Sequence, residues 1–400
     1  MNTSASSPLL RRVFQDAAIT FLSTVLVQAV TFGISAASGL ILDVHAFARL
    51  SIIVATLMLS SGLMEFGLNA TATKFHGDTR DESYLGLAFA VRFALVPVGV
   101  AVGGTVWACG WADIGLGIAI GPILNIWNGM RAADQARQDY ASFARLSIVF
   151  ALVRAAGGVA ALLLRADVAW VALAVYAFPV LALSGSASGK FVRRAFSAPR
   201  PQLQGVARYA AHVHLNAIAF IAVPYVPQYV IASRLDATAV GTYGLIVTFT
   251  APVSLLVYSV RSVLLPHMLG AASQVERLMW SRRGLMLIMA VWAGLLAGGG
   301  LVAAGLDMVY RHRFPQLEQV FLLYFFGYSG AAAIGFYSLS VHTRGVPHLA
   351  SALGAIKLLV LVPAVLLCGA DLKLIVSVVA AIMIVFETIL ALLIYRKQST

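Results

Sequence analysis

The sequence predicts an all-α polytopic membrane protein of about twelve transmembrane helices. Three observations carry that expectation. Hydrophobic residues fill 60% of the 400 positions and charged residues only 11%, where soluble globular chains average roughly a quarter charged. The apolar residues fall in twelve runs, each near the ~20 residues that a helix needs to cross a bilayer. The basic residues gather in alternate gaps between those runs. A water-exposed fold has no means of hiding so much apolar surface, whereas lipid tails solvate it. Inside lipid every backbone N–H and C=O must bond within its own segment, so the runs are helices.

The first six runs cover residues 17–42, 47–68, 84–109, 114–133, 143–164 and 168–191. The second six cover 209–232, 241–264, 285–306, 320–340, 349–368 and 374–395. With the amino terminus inside, the inner segments and the inner ends of runs hold eighteen of the 28 Lys and Arg residues, the outer segments and outer ends six, and four lie deeper within runs. Loops rich in Lys and Arg stay in the cytoplasm, so this bias places both termini there. The most basic gap follows the sixth run and contains Lys190, Arg193, Arg194, Pro199, Arg200 and Pro201. It divides the chain into an N-terminal six-helix lobe (1–191), a basic cytoplasmic linker (192–208) and a C-terminal six-helix lobe (209–400). An even number of spans per half implies halves related by an axis along the membrane normal. A short echo supports two halves: Leu42-Asp43-Val44 and Leu235-Asp236-Ala237 each precede the second run of their half.

Several functions are disfavoured by the same reading. The net charge of +12 does not point to nucleic acid, because the basic residues sit between apolar runs and not along a solvated face. Arg11 and Arg12 read as a cytoplasmic anchor for the first run, not as an export signal, because the apolar run after them is too long for a signal segment. Cys109 and Cys368, the two cysteines, make no disulfide framework and no multi-cysteine metal site. Both map to outer ends, which leaves their pairing open. No metal-binding His-x-x-x-His, phosphate-binding loop or Gly-x-Ser-x-Gly nucleophile pattern occurs. The expectation is a carrier with no catalytic residues, no metal and no cofactor.

Three stretches carry a family resemblance. They are Gly39-Leu40-Ile41-Leu42-Asp43 with Gly62-Leu63-Met64-Glu65-Phe66-Gly67-Leu68; Ile231-Ala232-Ser233-Arg234-Leu235-Asp236 with Val240-Gly241-Thr242-Tyr243, closing at Leu265-Pro266; and His342-Thr343-Arg344-Gly345. In these the chain resembles the polysaccharide flippase branch of the multidrug/oligosaccharidyl-lipid/polysaccharide exporter superfamily. Phe47-Ala48-Arg49 lacks the Gly-aromatic pair present at Gly241-Thr242-Tyr243, and Lys357 stands where the family would have a neutral polar residue. The resemblance implies two six-helix lobes around a central cavity and alternating access. It implies the bacterial inner membrane, and an undecaprenyl-pyrophosphate-linked oligosaccharide as cargo, for O-antigen, capsule or exopolysaccharide. Membrane lipids, a polysaccharide polymerase and glycosyltransferases are the implied partners.

Ionisable residues within spans are functional candidates because lipid makes them costly. At 1.5 Å per residue, Arg154 lies ~16 Å into its span, Arg92 and Lys357 ~12 Å, and Arg261 ~4.5 Å. Arg154 has no acidic residue at matching depth. It is expected either on the substrate path, where a guanidinium fork suits phosphate, or clamped to Asn125, with Asn128 nearby. Arg92 either reaches Glu65 or faces a cavity. Lys357 has a partner at similar depth in Glu387. Arg261 reads first as a snorkelling anchor, with a cavity-facing place on the substrate path as the alternative. His212, His214 and Asn216 open the seventh run, as interfacial polar groups or as a pH-sensitive gate. Gln28 serves helix–helix hydrogen bonding or touches sugar hydroxyls.

Other readings stay open. A cation-coupled small-molecule exporter of the same superfamily would want a buried acid in the early spans, and the first run has none between Asp16 and Asp43. A flippase for a lipid-linked peptidoglycan precursor is a close variant. A membrane transferase would need acidic or histidine residues clustered in an outer loop, and those loops are short.

Overall fold

The computed structural model describes residues 6–184, 205–270, 282–335, 337 and 347–396, with side chains described from residue 18 onward except at 254–270, 287 and 347. Those residues are almost all helical, and no strand occurs among them. The helices are α1 (Ser6–Ile41), α2 (Val44–Leu63), α3 (Leu68–Thr79), α4 (Ser83–Ala108), α5 (Ala112–Ala136) and α6 (Tyr140–Leu163). Next comes α7 (Val168–Ser184), which carries a π-helical turn at Leu173–Ala177. Then follow α8 (Val206–Arg234), α9 (Ala237–Gly270), α10 (Arg282–Tyr310), α11 (Leu317–Ile334), α12 (Pro347–Leu367) and α13 (Leu372–Arg396). Each of the twelve apolar runs has its helix. The second run is the exception in form, because it continues through a break into α3.

Acidic caps start many of these helices. A carboxylate just before a helix satisfies N–H groups that have no intrahelical partner. Asp43 accepts from Ala46 N at 2.9 Å and Asp236 accepts from Ala239 N at 2.9 Å. The echo between the two halves is therefore a repeated N-cap. Asp139, Asp167 and Asp371 cap α6, α7 and α13 in the same manner. The break between α2 and α3 is built on Phe66 (φ 51°) and Gly67 (φ 68°). Gly67 is required twice over, since a Cβ there would also lie 2.5 Å from the Ala210 carbonyl oxygen. Glu65 then seeds α3 by accepting from Gly67 N (2.9 Å) and Asn69 N (2.6 Å).

The chain folds as two compact units, one of Met1–Ser38 with Thr56–His214 and one of Gly39–Ala55 with Leu215–Thr400. In the first unit α4 and α5 form the most extensive interface. Small residues let them close: a Cβ on Gly99 would lie 2.3 Å from Pro122 Cγ, and one on Gly103 would lie 2.5 Å from the Gly115 carbonyl oxygen. Gly185 and Gly189, the second such pair in the sequence, lie outside the described residues. In the second unit α11 is flanked by α9, α10 and α13. There a Cβ on Gly327 would lie 2.4 Å from Ala380 Cα. The turn between α1 and α2 belongs to this unit. Arg313 donates to the Gly39 and Leu42 carbonyls at 3.1 and 2.7 Å, and Phe47 meets Phe314 edge-on at 5.9 Å.

Polarity is distributed for lipid. Leu163, Leu301, Leu359 and Leu367 are each at least 74% exposed, while among the described residues the largest fully buried side chain is Arg92. In water such leucines would be a liability; against acyl chains they are the preferred surface. Cys109 is exposed and Cys368 buried, and both are free thiols.

Candidate functional site

A polar stripe runs along one face of α1. Thr20, Thr24, Gln28, Thr31, Ser35 and Ser38 recur every three or four residues, so at 100° per residue they fill a wedge of about 80°. The opposite face carries Leu22, Leu26 and Leu40, exposed by 64, 38 and 42%. The lipid-facing side of this helix is thus apolar, and its polar stripe faces protein.

Two arginines from other helices anchor on that stripe. Arg131 of α5 donates to Thr24 Oγ1 at 3.0 Å. Arg154 of α6 donates to Thr31 Oγ1 at 2.6 Å. Thr31 is fixed as the acceptor because its own hydroxyl proton goes to the Val27 carbonyl (2.8 Å). Aromatic rings hold both cations. The Arg154 guanidinium lies 4.4 Å from the Tyr176 ring and 5.6 Å from Phe150. Arg131 lies 4.6 Å from Phe143 and 5.8 Å from Trp127. Trp127 and Phe150 stack on each other at 3.9 Å, 12° between planes. The result is a ladder of cation, ring, ring, cation, ring along the α1 threonines. Cation–π contacts range from about 0.5–1 kcal/mol at exposed sites to ~2 kcal/mol when desolvated, and the buried Arg154 lies at the stronger end. Tyr176 sits in the π-helical turn of α7, a feature that re-aims side chains and is common at functional sites.

Arg154 is 5% exposed. Among the described residues no carboxylate touches it, and its Nε–H has no hydrogen-bond partner. Between the two anchored arginines, Gln28 and Asn128 are half-buried and bond no other described residue. Gln28 lies midway between Thr24 and Thr31, and Asn128 one turn before Arg131. Asn125, the expected clamp for Arg154, is engaged elsewhere: it donates to the Ser61 carbonyl (2.7 Å) and accepts from Ser61 Oγ (3.1 Å). Thr24, Thr31, Arg131 and Tyr176 were not singled out from the sequence. The stripe on α1 was available there as a three- and four-residue polar period.

The remaining candidates fall into local arrangements. Arg92 donates to Asn69 Oδ1 at 2.5 Å, and Asn69 in turn gives its backbone N–H to Glu65, so Glu65 and Arg92 are joined through Asn69. Gly129 admits the guanidinium, since a Cβ there would lie 2.8 Å from Arg92 Nη1. His214 stands against Phe66 at 5.2 Å between rings, and His212 is half-buried on the same helix. In the second unit Lys357 and Glu387 form an ion pair of 3.3 Å, about one-fifth exposed. Gly354, one turn before Lys357, lets α12 approach α8: a Cβ there would lie 3.0 Å from Ala219 Cβ and 3.8 Å from Asn216 Oδ1. Asn216 is exposed. Arg261 lies on α9 with its side chain outside the described residues, as does the whole His342–Gly345 stretch.

The arrangement offers fixed cations, rings and two available amides. Among the described residues no group of three His, Cys, Asp or Glu side chains is placed to hold a metal.

No family model matches the sequence, and no curated protein matches it either. Solved structures do. A multidrug resistance MATE family transporter of the MOP superfamily, in its inward-facing conformation, superposes with a TM-score of 0.70 at 12% identity, covering 93% of this chain and 94% of its own. The MATE multidrug transporter DinF-BH gives 0.65 at 15% identity over 99% of this chain and 97% of its own. A MOP superfamily transporter from Pyrococcus furiosus, reported with a binding pocket of reverse polarity suggesting a different function, gives 0.58 at 14% identity over 96 and 95%. The chain has the polytopic all-α fold of the MATE transporters of the MOP superfamily.

Proposed function

We propose that this chain is a secondary transporter that exports a polar, anionic solute by alternating access. The observation that carries the reading is the extent of the fold match, which runs over nearly the whole of this chain and of multidrug transporters alike. Arg154 supports the sign of the cargo. A guanidinium sunk at mid-membrane depth without a carboxylate is costly unless an anion or water shares its N–H groups. Gln28 and Asn128 add amides for a cargo that also carries hydroxyls or carbonyls. The Pyrococcus furiosus protein is a precedent for altered pocket polarity on this fold. For coupling to an ion gradient, Lys357–Glu387 is a half-buried acid–base pair among the described residues of the second unit.

The test is transport in proteoliposomes under an imposed proton or sodium gradient, with carboxyfluorescein as anionic probe and ethidium as cationic probe. Gradient-driven movement of the anion is expected, with a loss of tenfold or more (~1.4 kcal/mol or more) in Arg154→Gln. Equal movement of the cation by wild type and Arg154→Gln, with no anion movement, would overturn it.

A lipid-linked oligosaccharide flippase is the second reading. The motif stretches at Gly39–Asp43, Gly62–Leu68 and Ile231–Asp236 favour it, and the same arginine suits a pyrophosphate. On that reading a polymerase and glycosyltransferases are partners, and a peptidoglycan precursor is a variant cargo. Arg154→Ala would abolish surface polysaccharide while the protein remains in the membrane; normal display in that variant would count against it. Both readings place the chain in the bacterial inner membrane with cytoplasmic termini, which reporter fusions at each end would check.

A further inference from the structure

Among the described helices of the second unit, α10 is the least covered. Only 6% of its most apolar stretch is buried, and Leu285, Met286 and Met289 are each at least half exposed. Side chains so placed meet lipid. At the start of this helix a groove of about 280 Å³ opens between α10, α11 and α13. Leu285, Ile334, Ala391 and Leu392 supply its apolar wall, and Arg282 is the charged group on its lining. Thr388 also lines it, but its hydroxyl is committed to the Ile384 carbonyl at 2.8 Å. Arg282 and its neighbour Arg283 are exposed, and Arg396 stands one turn beyond Leu392 at the end of α13. Among the described residues no acidic side chain lines the groove. The tally of Lys and Arg places the start of α10 and the end of α13 on the inner side of the membrane.

We infer that this groove holds one acyl chain of an anionic phospholipid from the inner leaflet, with the lipid phosphate at Arg282. Basic pockets between spanning helices on the cytoplasmic side are the usual place for anionic headgroups. The apolar wall fits an acyl chain, and the guanidinium at its mouth fits the phosphate. The occupant is a bilayer lipid and not the transported cargo. The groove opens on the helix most exposed to lipid, and its one lining hydroxyl outside Tyr337 is spent internally, so little remains to read a polar solute. The inference is independent of which cargo the first unit binds.

Lipid retained by the purified full-length protein, measured by native mass spectrometry against equal phosphatidylglycerol and phosphatidylethanolamine, tests it. A single guanidinium near the surface predicts about a fivefold preference for phosphatidylglycerol. Arg282→Gln should bring that preference close to unity, and Ala391→Phe, which fills the groove, should lower retention of both lipids. Equal retention of the two lipids by wild type, or an unchanged preference in Arg282→Gln, overturns the assignment. So does stronger retention of a polyprenyl phosphate than of phosphatidylglycerol. Should Ala391→Phe fail to fold, Leu285→Trp supplies a reporter: its emission should be quenched more by bromine-labelled phosphatidylglycerol than by the labelled phosphatidylethanolamine, and equal quenching likewise overturns the proposal.

Discussion

Replacing Thr31 by valine isolates the contact on which the first unit's ladder rests. Valine keeps the β-branched shape and the packing of α1, and removes the hydroxyl that accepts the 2.6 Å bond from Arg154 and donates to the Val27 carbonyl, a carbonyl the helix already pairs. Arg154 already has one N–H without a protein partner, so the variant leaves a second. A hydrogen bond to a charged group contributes about 1.5–3 kcal/mol, and its loss in a buried setting carries the full desolvation penalty. Thr31→Val should therefore destabilise the protein by about 1.5–3 kcal/mol. The assay is reversible unfolding of the whole chain in mixed micelles, run as a double-mutant cycle with Arg154→Met. Methionine keeps an unbranched apolar side chain and removes the cation. In that background Thr31→Val should be neutral to within about 0.5 kcal/mol. The same penalty in both backgrounds would show that the cost comes from α1 itself, and would refute a stabilising Thr31–Arg154 bond.

Three other outcomes follow from local geometry. Lys357→Glu or Glu387→Lys alone sets like charges where a 3.3 Å ion pair stood, a repulsion of about 5 kcal/mol at an effective dielectric of about 20; transport should fall in each and return in the double reversal, and no return would mean the pair acts through more than its charge. Gly327→Ala puts a methyl 2.4 Å from Ala380 Cα, so α11 and α13 must separate; overpacking of this kind costs about 1–3 kcal/mol, read as a lower midpoint in the same unfolding assay. Asp139 caps α6, and hydrogen bonds from the Ser142 backbone and hydroxyl hold its carboxyl below the ordinary value of 3.8. Its contribution is then fully present above that value and lost as pH falls through the folded pKa. Asp139→Asn keeps an acceptor that does not titrate, so its stability should fall less than the wild type's between about pH 5 and pH 3; parallel curves would rule out the cap as the titrating element.

The spans were legible because lipid leaves the chain one way to satisfy its backbone, and that way needs long contiguous apolar runs. Helix α3 was not legible. Residues 69–83 read as an inner connection because Lys74, Asp78, Arg80, Asp81 and Glu82 interrupt any apolar period. What makes the helix is a contact that hydropathy does not register, the Glu65 carboxylate on the N–H groups of Gly67 and Asn69. The echo at Asp43 and Asp236 was visible as letters, and its cause is the shared cap. For the site, depth alone marked Arg154, because position along a span is set by counting residues. Its partners were hidden, since Thr31 lies 123 residues away and Tyr176 is aimed by a π-helical turn. Which face of one helix meets which face of another is decided by packing, and Asn125, equally plausible by depth, turned to Ser61 instead.

The acidic residues bear most directly on mechanism. The chain has sixteen, and among the described ones seven accept from backbone N–H groups at helix starts: Asp43, Glu65, Asp81, Asp139, Asp167, Asp236 and Asp371. Others face cations near helix ends, as Glu82 does with Arg137, Asp78 with Lys74 and Asp307 with Arg311. A capping carboxylate that takes up a proton weakens its own helix start, so these groups are poor carriers of a coupling ion. The polar stripe of α1 holds threonine, serine and glutamine, and no acid. A cation exchanged for substrate therefore has no carboxylate to bind on that stripe, where the neighbouring charges are Arg131 and Arg154. For the proposed transporter, two arrangements fit the charges of that stripe and of the Lys357–Glu387 pair, beside the buried acid Asp134 near the end of α5. Either coupling passes through Glu387, which can release Lys357 when protonated, or the cargo's own negative charge supplies the counter-ion to Arg154. In the first, Glu387→Gln uncouples transport from the gradient and leaves binding intact; in the second, Arg154→Gln removes binding and leaves no gradient response to measure.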